Sequence, residues 1–266
     1  MTNNSIPGNC NGLEWQKGPE QNNIAYLLSK SPGGYRTGRT GKYLNLYGND
    51  AVGGVAHVPR GWDTWRTLRG NSIYYHYDIS YADCTREGKM RSGGCKGVAQ
   101  SHGHDYEADY LPLVIRNYTL DFIREAKTDD RPFFWVAGLP SCHQPADPAP
   151  QFADLYPTAR APRTPTYNKQ FPDTHWFAAS QGVIDGPMDE NSREFTDLLT
   201  RRRWQTLASV DQMVADVVTE LKDLDLLDNT YIIYTSDHGY HLVRAQRTGL
   251  ARWCPTQPCS GAIARP

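Results

Sequence analysis

The 266-residue chain contains no apolar run near the ~20 residues that a membrane-spanning helix needs, so no helical span is expected. It also lacks net charge. Lys and Arg total 28 against 29 Asp and Glu, a formal balance of −1, which removes any bulk electrostatic pull toward nucleic acid or anionic membranes. None of the six cysteines forms a C-x-x-C pair, which argues against a zinc ribbon or a redox dithiol. The first residues, Met1-Thr2-Asn3-Asn4-Ser5, are polar, and no secretory h-region is read in them. No internal repeat is visible.

What remains is the composition of a folded globular protein: 39% hydrophobic, 11% aromatic and 21% charged residues. The length suits one sizeable domain or two small ones. The mean hydropathy of −0.64 is low for a complete, well-buried domain, and part of a core is expected to be missing. Cys84 and Cys95 flank a Gly- and Arg-containing stretch and could close a short disulfide loop. Asn117-Tyr118-Thr119 and Asn3-Asn4-Ser5 match the N-glycosylation acceptor pattern. With the cysteines they point weakly to the secretory pathway.

The periodicity predicts a helix over 21–29, with Ile24, Leu27 and Leu28 apolar, stopped at Ser31-Pro32-Gly33-Gly34. A short strand over 35–38 leads to Gly41-Lys42-Tyr43-Leu44-Asn45. Residues 48–106 read as loops and short hairpins. A second helix is expected over 108–126, with Leu111, Val114, Ile115, Tyr118 and Phe122 on one stripe. Phe133 to Ala137 suits a buried strand and opens onto a loop holding His143. The stretch from 144 to 168 is Pro-rich and extended. The longest helix is expected over 195–221, followed by Tyr231-Ile232-Ile233-Tyr234-Thr235 as another buried strand that ends at Ser236-Asp237-His238-Gly239. Helix, turn, strand and polar loop thus recur three times. In open α/β sheets ligands sit beyond the carboxyl ends of the strands, so Lys42, His143 and Asp237-His238 are expected to converge on one pocket.

Each of these residues admits two readings. Asp237 and His238 could ligate a hard divalent ion, or Asp237 caps a turn and His238 packs locally. Lys42 could hold an anion as a point charge, or it is a solvated surface lysine. His143 could act as a general acid or bind an anion, or it is an ordinary loop histidine. His102-Gly103-His104 is weak as a metal tract and receives no role. Arg201-Arg202-Arg203 reads as a solvated helix face. The tyrosines and tryptophans between Gly61 and Tyr81 could line a sugar cleft, and core packing accounts for them equally well.

Taken together and in order, several stretches resemble the sulfatases. They are Gly34-Tyr35-Arg36-Thr37 leading to Gly41-Lys42-Tyr43-Leu44-Asn45, Val58-Pro59-Arg60-Gly61-Trp62, Asn71-Ser72-Ile73-Tyr74-Tyr75, Arg203-Trp204-Gln205-Thr206-Leu207, Ser209-Val210-Asp211, and Asn229-Thr230-Tyr231 through Ser236-Asp237-His238-Gly239-Tyr240-His241. The resemblance covers about 2–242 and is similar above all to members acting on 6-sulfated glucosamine of heparan and keratan sulfate. It implies an alkaline-phosphatase-like α/β fold around a mixed sheet, a lysosomal or secreted location and a sulfated glycosaminoglycan as partner. It also implies a Ca²⁺ that polarises the sulfate and a formylglycine nucleophile. By position, Lys42 looks like the sulfate-binding lysine and His143 like the catalytic-site histidine of the family's Ala-Pro-His-x-Pro loop, with Cys142 here in place of the proline and Gln144-Pro145 following. Asp237 corresponds to a calcium ligand and His238 to a second one, at which exo-acting members carry Asn and endo-acting members His.

The departures from that pattern matter. No cysteine here begins a Cys-x-Pro-x-Arg motif, the precursor of formylglycine, and Cys254-Pro255-Thr256-Gln257 does not fit. The family's first strand, with paired aspartates, is expected to be absent, which leaves an incomplete fold and an incomplete Ca²⁺ shell. After Leu242 the sequence leaves the family pattern. The expected organisation is a partial sulfatase catalytic domain over 1–243 and a divergent, disordered tail over 244–266. An inactive enzyme fragment is the leading expectation. The alternatives are a glucosamine-6-O-endosulfatase, a non-catalytic sulfated-glycan-binding protein, and a phosphatase or phosphodiesterase of the same superfold.

Overall fold

A seven-stranded mixed sheet organises the chain. The computed structural model describes residues 12–84, 94–165, 167–169 and 187–236, together with the backbone of 259–264. The strands are β1 (Arg36–Gly41), β2 (Thr64–Leu68), β3 (Tyr77–Asp83), β4 (Val98–His102), β5 (Phe133–Gly138), β6 (Tyr231–Ser236) and β7 (Cys259–Ala264). They lie in the order β4-β3-β2-β1-β5-β7-β6. The helices are α1 (Leu13–Lys17), α2 (Ile24–Lys30), α3 (Tyr106–Asp109), α4 (Leu111–Lys127) and α5 (Glu190–Asp223).

β1 runs parallel to both β2 and β5, as expected for strands joined by long crossovers. β7 is antiparallel to β5 and to β6, so β6 points the same way as β1 and β5. The carboxyl ends of all three therefore lie on one edge of the sheet. Six residues of the tail, Cys259–Ala264, form a strand where disorder is expected from the sequence. Backbone pairing on both sides holds that strand, and such pairing is open to any chain without an ill-placed proline.

β5 shows why the sheet is covered on both faces. All six of its residues are buried. Phe133, Trp135 and Ala137 face α4 and α5, in a core with Ile115, Phe122, Val210 and Val217. Phe134 and Val136 face the other way, toward Ala25, Trp62 and Trp65. This is the period-2 alternation of a strand, with both faces apolar because both are covered. β1 is made of small and polar residues for a steric reason. A Cβ on Gly38 would lie 2.4 Å from the Trp135 ring.

Most elements match the sequence periodicity, with corrections in what they bury. On α2, Ile24 and Leu27 are exposed, while Ala25 and Ser29 are buried. The close approach of the Gly61 backbone to Tyr26 and Ala25 selects the small side chains for the inner face. The aromatics Trp62, Trp65, Tyr74 and Tyr77 are core residues, so the packing reading holds over the sugar-cleft reading. Cys84 and Cys95 are disulfide-bonded.

The sharpest departure is β6. It was expected to be buried, yet every residue from Tyr231 to Ser236 is exposed. Ile233 is 54% exposed, and Val214 on the facing side of α5 is 40% exposed. Between them runs an open apolar groove of about 840 Å³, lined by Leu139, Trp204, Leu207, Val214, Ile232 and Tyr234 among others. The strand is built for burial, but the described chain puts no layer over it.

Candidate active site

Lys42 is placed by glycine. Gly41 has φ +75, and a Cβ there would lie 2.1 Å from the Gly138 carbonyl oxygen. Without that Cβ the end of β1 closes against the end of β5, and the Lys42 amide donates to the Gly138 carbonyl at 2.8 Å. Lys42 is 2% exposed, so the solvated-lysine reading fails. Its Nζ donates to Asn71 Oδ1 and to the Gly70 carbonyl. Asn71 is itself fixed, since its Oδ1 also accepts from the Ser72 amide at 2.9 Å.

The backbone behind Lys42 is clamped as well. Arg39 Nη2 donates to the Lys42 carbonyl, with its guanidinium 5.1 Å over the Tyr43 ring. Burial pushes the Arg39 pKa down to about 10, which still leaves it charged at neutral pH. The Tyr43 hydroxyl donates to Glu20 Oε1 at 2.9 Å, and His57 Nε2 lies 2.6 Å from the other Glu20 oxygen. Burial, and then the neighbouring Glu20 carboxylate, raise the Tyr43 hydroxyl well above its ordinary value. Tyr43 therefore stays a hydrogen-bond donor across the neutral range.

His143 lies on the loop that leaves β5. Its amide bonds to the Pro140 carbonyl at 2.8 Å, and its Nδ1 is 2.6 Å from the Gln144 carbonyl oxygen. That geometry assigns the proton to Nδ1 and gives Nε2 the lone pair in the neutral tautomer. The fully buried Tyr74 donates its hydroxyl to the His143 carbonyl at 3.1 Å. Burial drives the Tyr74 pKa well up, so this donor too persists. Asn71 on Lys42 and Tyr74 on His143 are three residues apart in one turn. That turn ties the two loops together at the carboxyl edge of β1 and β5.

Three contributors were not assigned roles from the sequence: Asn71, Tyr74 and Arg203. The first two fall in the Asn71–Tyr75 stretch, and Arg203 opens the Arg203–Leu207 stretch, so a signal was present. Arg203 corrects the solvated-face reading of the arginine run. Its Nη2 donates to Cys142 Sγ at 3.2 Å, which puts a guanidinium against the residue that precedes His143.

Asp237 and His238 lie outside the described residues. The strand before them ends at Ser236 on the shared edge, three strand spacings or roughly 14 Å from β1. Among the described residues no group of three His, Cys, Asp or Glu side chains could hold a metal ion. The residues expected to ligate Ca²⁺, Asp237 and His238, lie outside that set, and no step below runs through the ion. His102 pairs with Asp109 at 3.2 Å and stacks on Tyr77, which is a structural use. Asn117 is exposed on α4, whereas the Thr119 hydroxyl is buried and bonded to the Ile115 carbonyl.

A parallel-cored α/β sheet of alkaline-phosphatase-like architecture thus brings a buried lysine, a tethered histidine and an arginine to one carboxyl edge. The sulfatase family model matches residues 1–256, and the chain belongs to the sulfatase family. It is 39% identical over 241 residues to the N-acetylglucosamine-6-sulfatases of Bos taurus and Homo sapiens, covering 91% of this chain and 40% of each relative. It is 39% identical over 245 residues to an extracellular sulfatase SULF-1 homolog of Drosophila melanogaster, covering 91% of this chain and 19% of that one. The chain thus spans less than half the length of these relatives. The solved structure of BT4656 with its substrate D-glucosamine-2-N,6-O-disulfate superimposes with a TM-score of 0.58 at 16% identity, over 93% of this chain and 56% of that one. The fold is the one these sulfatases share. No helix among the described residues is long and apolar enough to cross a membrane.

Proposed function

We propose that this chain carries the sulfate-ester-recognising part of an N-acetylglucosamine-6-sulfatase-type hydrolase, acting on 6-sulfated glucosamine of a glycosaminoglycan such as heparan or keratan sulfate. The observation that supports it most is the burial of Lys42 beside the His143 loop. A lysine at 2% exposure costs desolvation that a surface charge would not, and an anionic ligand offsets that cost. The Lys42 ammonium is assigned to a sulfate oxygen, where it opposes the charge that builds as the ester S–O bond breaks. Protonated at Nε2, His143 is assigned as the acid that gives its proton to the departing sugar oxygen. Arg203, behind Cys142, adds positive potential to the same loop.

Asp237 and His238 are the proposed Ca²⁺ ligands, and Asn117 is the proposed glycan acceptor, in keeping with a lysosomal or secreted protein. The formylglycine that would supply the nucleophile has no precursor motif in this sequence, so the chain alone is expected to bind without turnover. Calorimetry with N-acetylglucosamine-6-sulfate tests this. Lys42→Ala should weaken binding at least tenfold, and the loss should shrink in high salt. Unchanged affinity would remove the assignment of Lys42, and robust aryl sulfate hydrolysis by the wild-type chain would contradict the binding-only expectation.

A further inference from the structure

One face of α5 and the stretch 153–163 run side by side, fastened by side chains. Gln205 Nε2 donates to the Ala153 and Leu155 carbonyls at 2.7 and 2.9 Å. Arg201 Nη1 donates to the Ala159 carbonyl at 3.1 Å. The Ala161 amide donates to Asp197 Oδ1 at 2.9 Å. Asp197, Arg201, Trp204 and Gln205 follow one another at the three-to-four spacing of a helix face, so the contact extends over roughly 10 Å of α5.

This tract carries two kinds of group that the Lys42 site leaves unused. The first is an exposed aromatic pair. Tyr156 is 46% exposed and Trp204 is 42% exposed, and their rings meet edge to face at 5.7 Å. Such a contact covers a face of one ring at most, so flat apolar surface stays open to solvent. The second is positive charge. Residues 153–163 and 197–204 hold Arg160, Arg163, Arg201, Arg202 and Arg203 against Asp154 and Asp197. Arg163 pairs with Asp197 at 2.7 Å, and Arg203 turns to Cys142. Among the described residues no ion pair takes up Arg160, Arg201 or Arg202. Arg160 is exposed and stands between Ala159 and Ala161, whose backbone is held to α5.

Open rings beside uncompensated guanidiniums suit a sugar chain that bears acid groups. The apolar face of a pyranose lies on a ring, and a guanidinium takes a sulfate or carboxylate through paired N–H donors. The position of the tract agrees with this. Arg203 reaches the residue before His143, and Trp204 follows Arg203 on the same turn of α5. We infer that the tract is an exosite for the flanking units of a sulfated glycosaminoglycan chain whose reacting 6-sulfate is held at Lys42. This rests on the sulfated-glycan reading above for the reacting unit. It adds that the ligand is a polyanionic chain and not an isolated sugar. Because the arginines are at the surface, their share of the affinity falls with salt.

Calorimetry on the 266-residue chain tests the exosite, with a heparin tetrasaccharide and N-acetylglucosamine-6-sulfate as probes. At low salt the tetrasaccharide should bind at least about tenfold more tightly than the monosaccharide. Trp204→Ala, and Arg160→Gln combined with Arg201→Gln, should each weaken the tetrasaccharide about fivefold or more and leave the monosaccharide unchanged. Trp204→Phe, which keeps a flat ring, should retain the affinity that Trp204→Ala loses, and thermal unfolding of every variant checks that the fold is intact. Equal affinity for the two probes, or tetrasaccharide binding indifferent to either Trp204→Ala or the arginine pair, overturns the exosite. Weakened tetrasaccharide binding in these variants, with monosaccharide affinity unaltered in Lys42→Ala, keeps the exosite and removes the assignment of Lys42 instead.

Discussion

β5 and β6 read alike in the sequence, as short apolar runs between turn signals, and end in opposite environments. β5 is buried at all six positions, whereas β6 is exposed at all six. The difference lies in their neighbours. α4, α5, α2 and the Trp62–Trp65 cluster close over β5. β6 has β7 beside it and the open groove of α5 beneath it. An apolar strand thus records the environment its sequence was suited to, and the rest of the fold decides whether that environment exists.

Paired truncations would break the comparison if it is wrong. Trp135→Ala removes a fully buried ring stacked on Phe122 at 4.4 Å and should cost ~3–5 kcal/mol. Ile233→Ala, at 54% exposure, should stay within about 0.5 kcal/mol. Urea unfolding of both variants measures the gap, and similar losses would mean that β6 is covered in solution.

The disulfide sharpens the same contrast from within the closed half. Cys84 and Cys95 are both buried in the Trp62–Trp65 cluster and span 11 residues. Replacing both with serine should lower stability by roughly 2–3 kcal/mol, chiefly by freeing the unfolded chain. A fall in the melting temperature with the fold retained is the expected readout. No change would show that packing alone holds that region.

The smallest effect is electrostatic. Asp129 turns the chain from α4 into β5, and its side-chain hydrogen bond from Arg131 holds its carboxyl below the usual 3.8. A lowered carboxyl pKa contributes stability that is present above pH 3.8 and is lost as pH falls through the folded value. Asp129→Asn should therefore cost under ~1 kcal/mol at neutral pH, and the deficit should vanish in acid. A deficit that persists at pH 2.5 would point to a packing role.

The places of Lys42 and His143 in the fold were legible in the sequence, whereas Asp237 and His238 lie outside the described residues. Lys42 follows a glycine at a strand exit and His143 a buried strand, and both stand at the carboxyl edge of adjacent parallel strands as that pattern implied. Arg203 was not legible, because a basic run on a helix is nearly always solvated, and only the packing of α5 against the β5 loop brings one guanidinium to Cys142. The support given by Asn71 and Tyr74 was hidden for a similar reason. Their partners are 29 and 69 residues away along the chain, and local pattern carries no information on pairings that distant.

The sequence alone determined the long helices α4 and α5 and the strands β1, β5 and β6, since side-chain periodicity acts over a few residues. It also determined the family, since many short stretches keep their order and spacing. Tertiary structure alone decided which apolar faces are covered, which arginine of three reaches the site, and how Lys42 comes to be buried. Each of these depends on contacts between segments far apart in the chain, whose energies exist only once the sheet has brought them together.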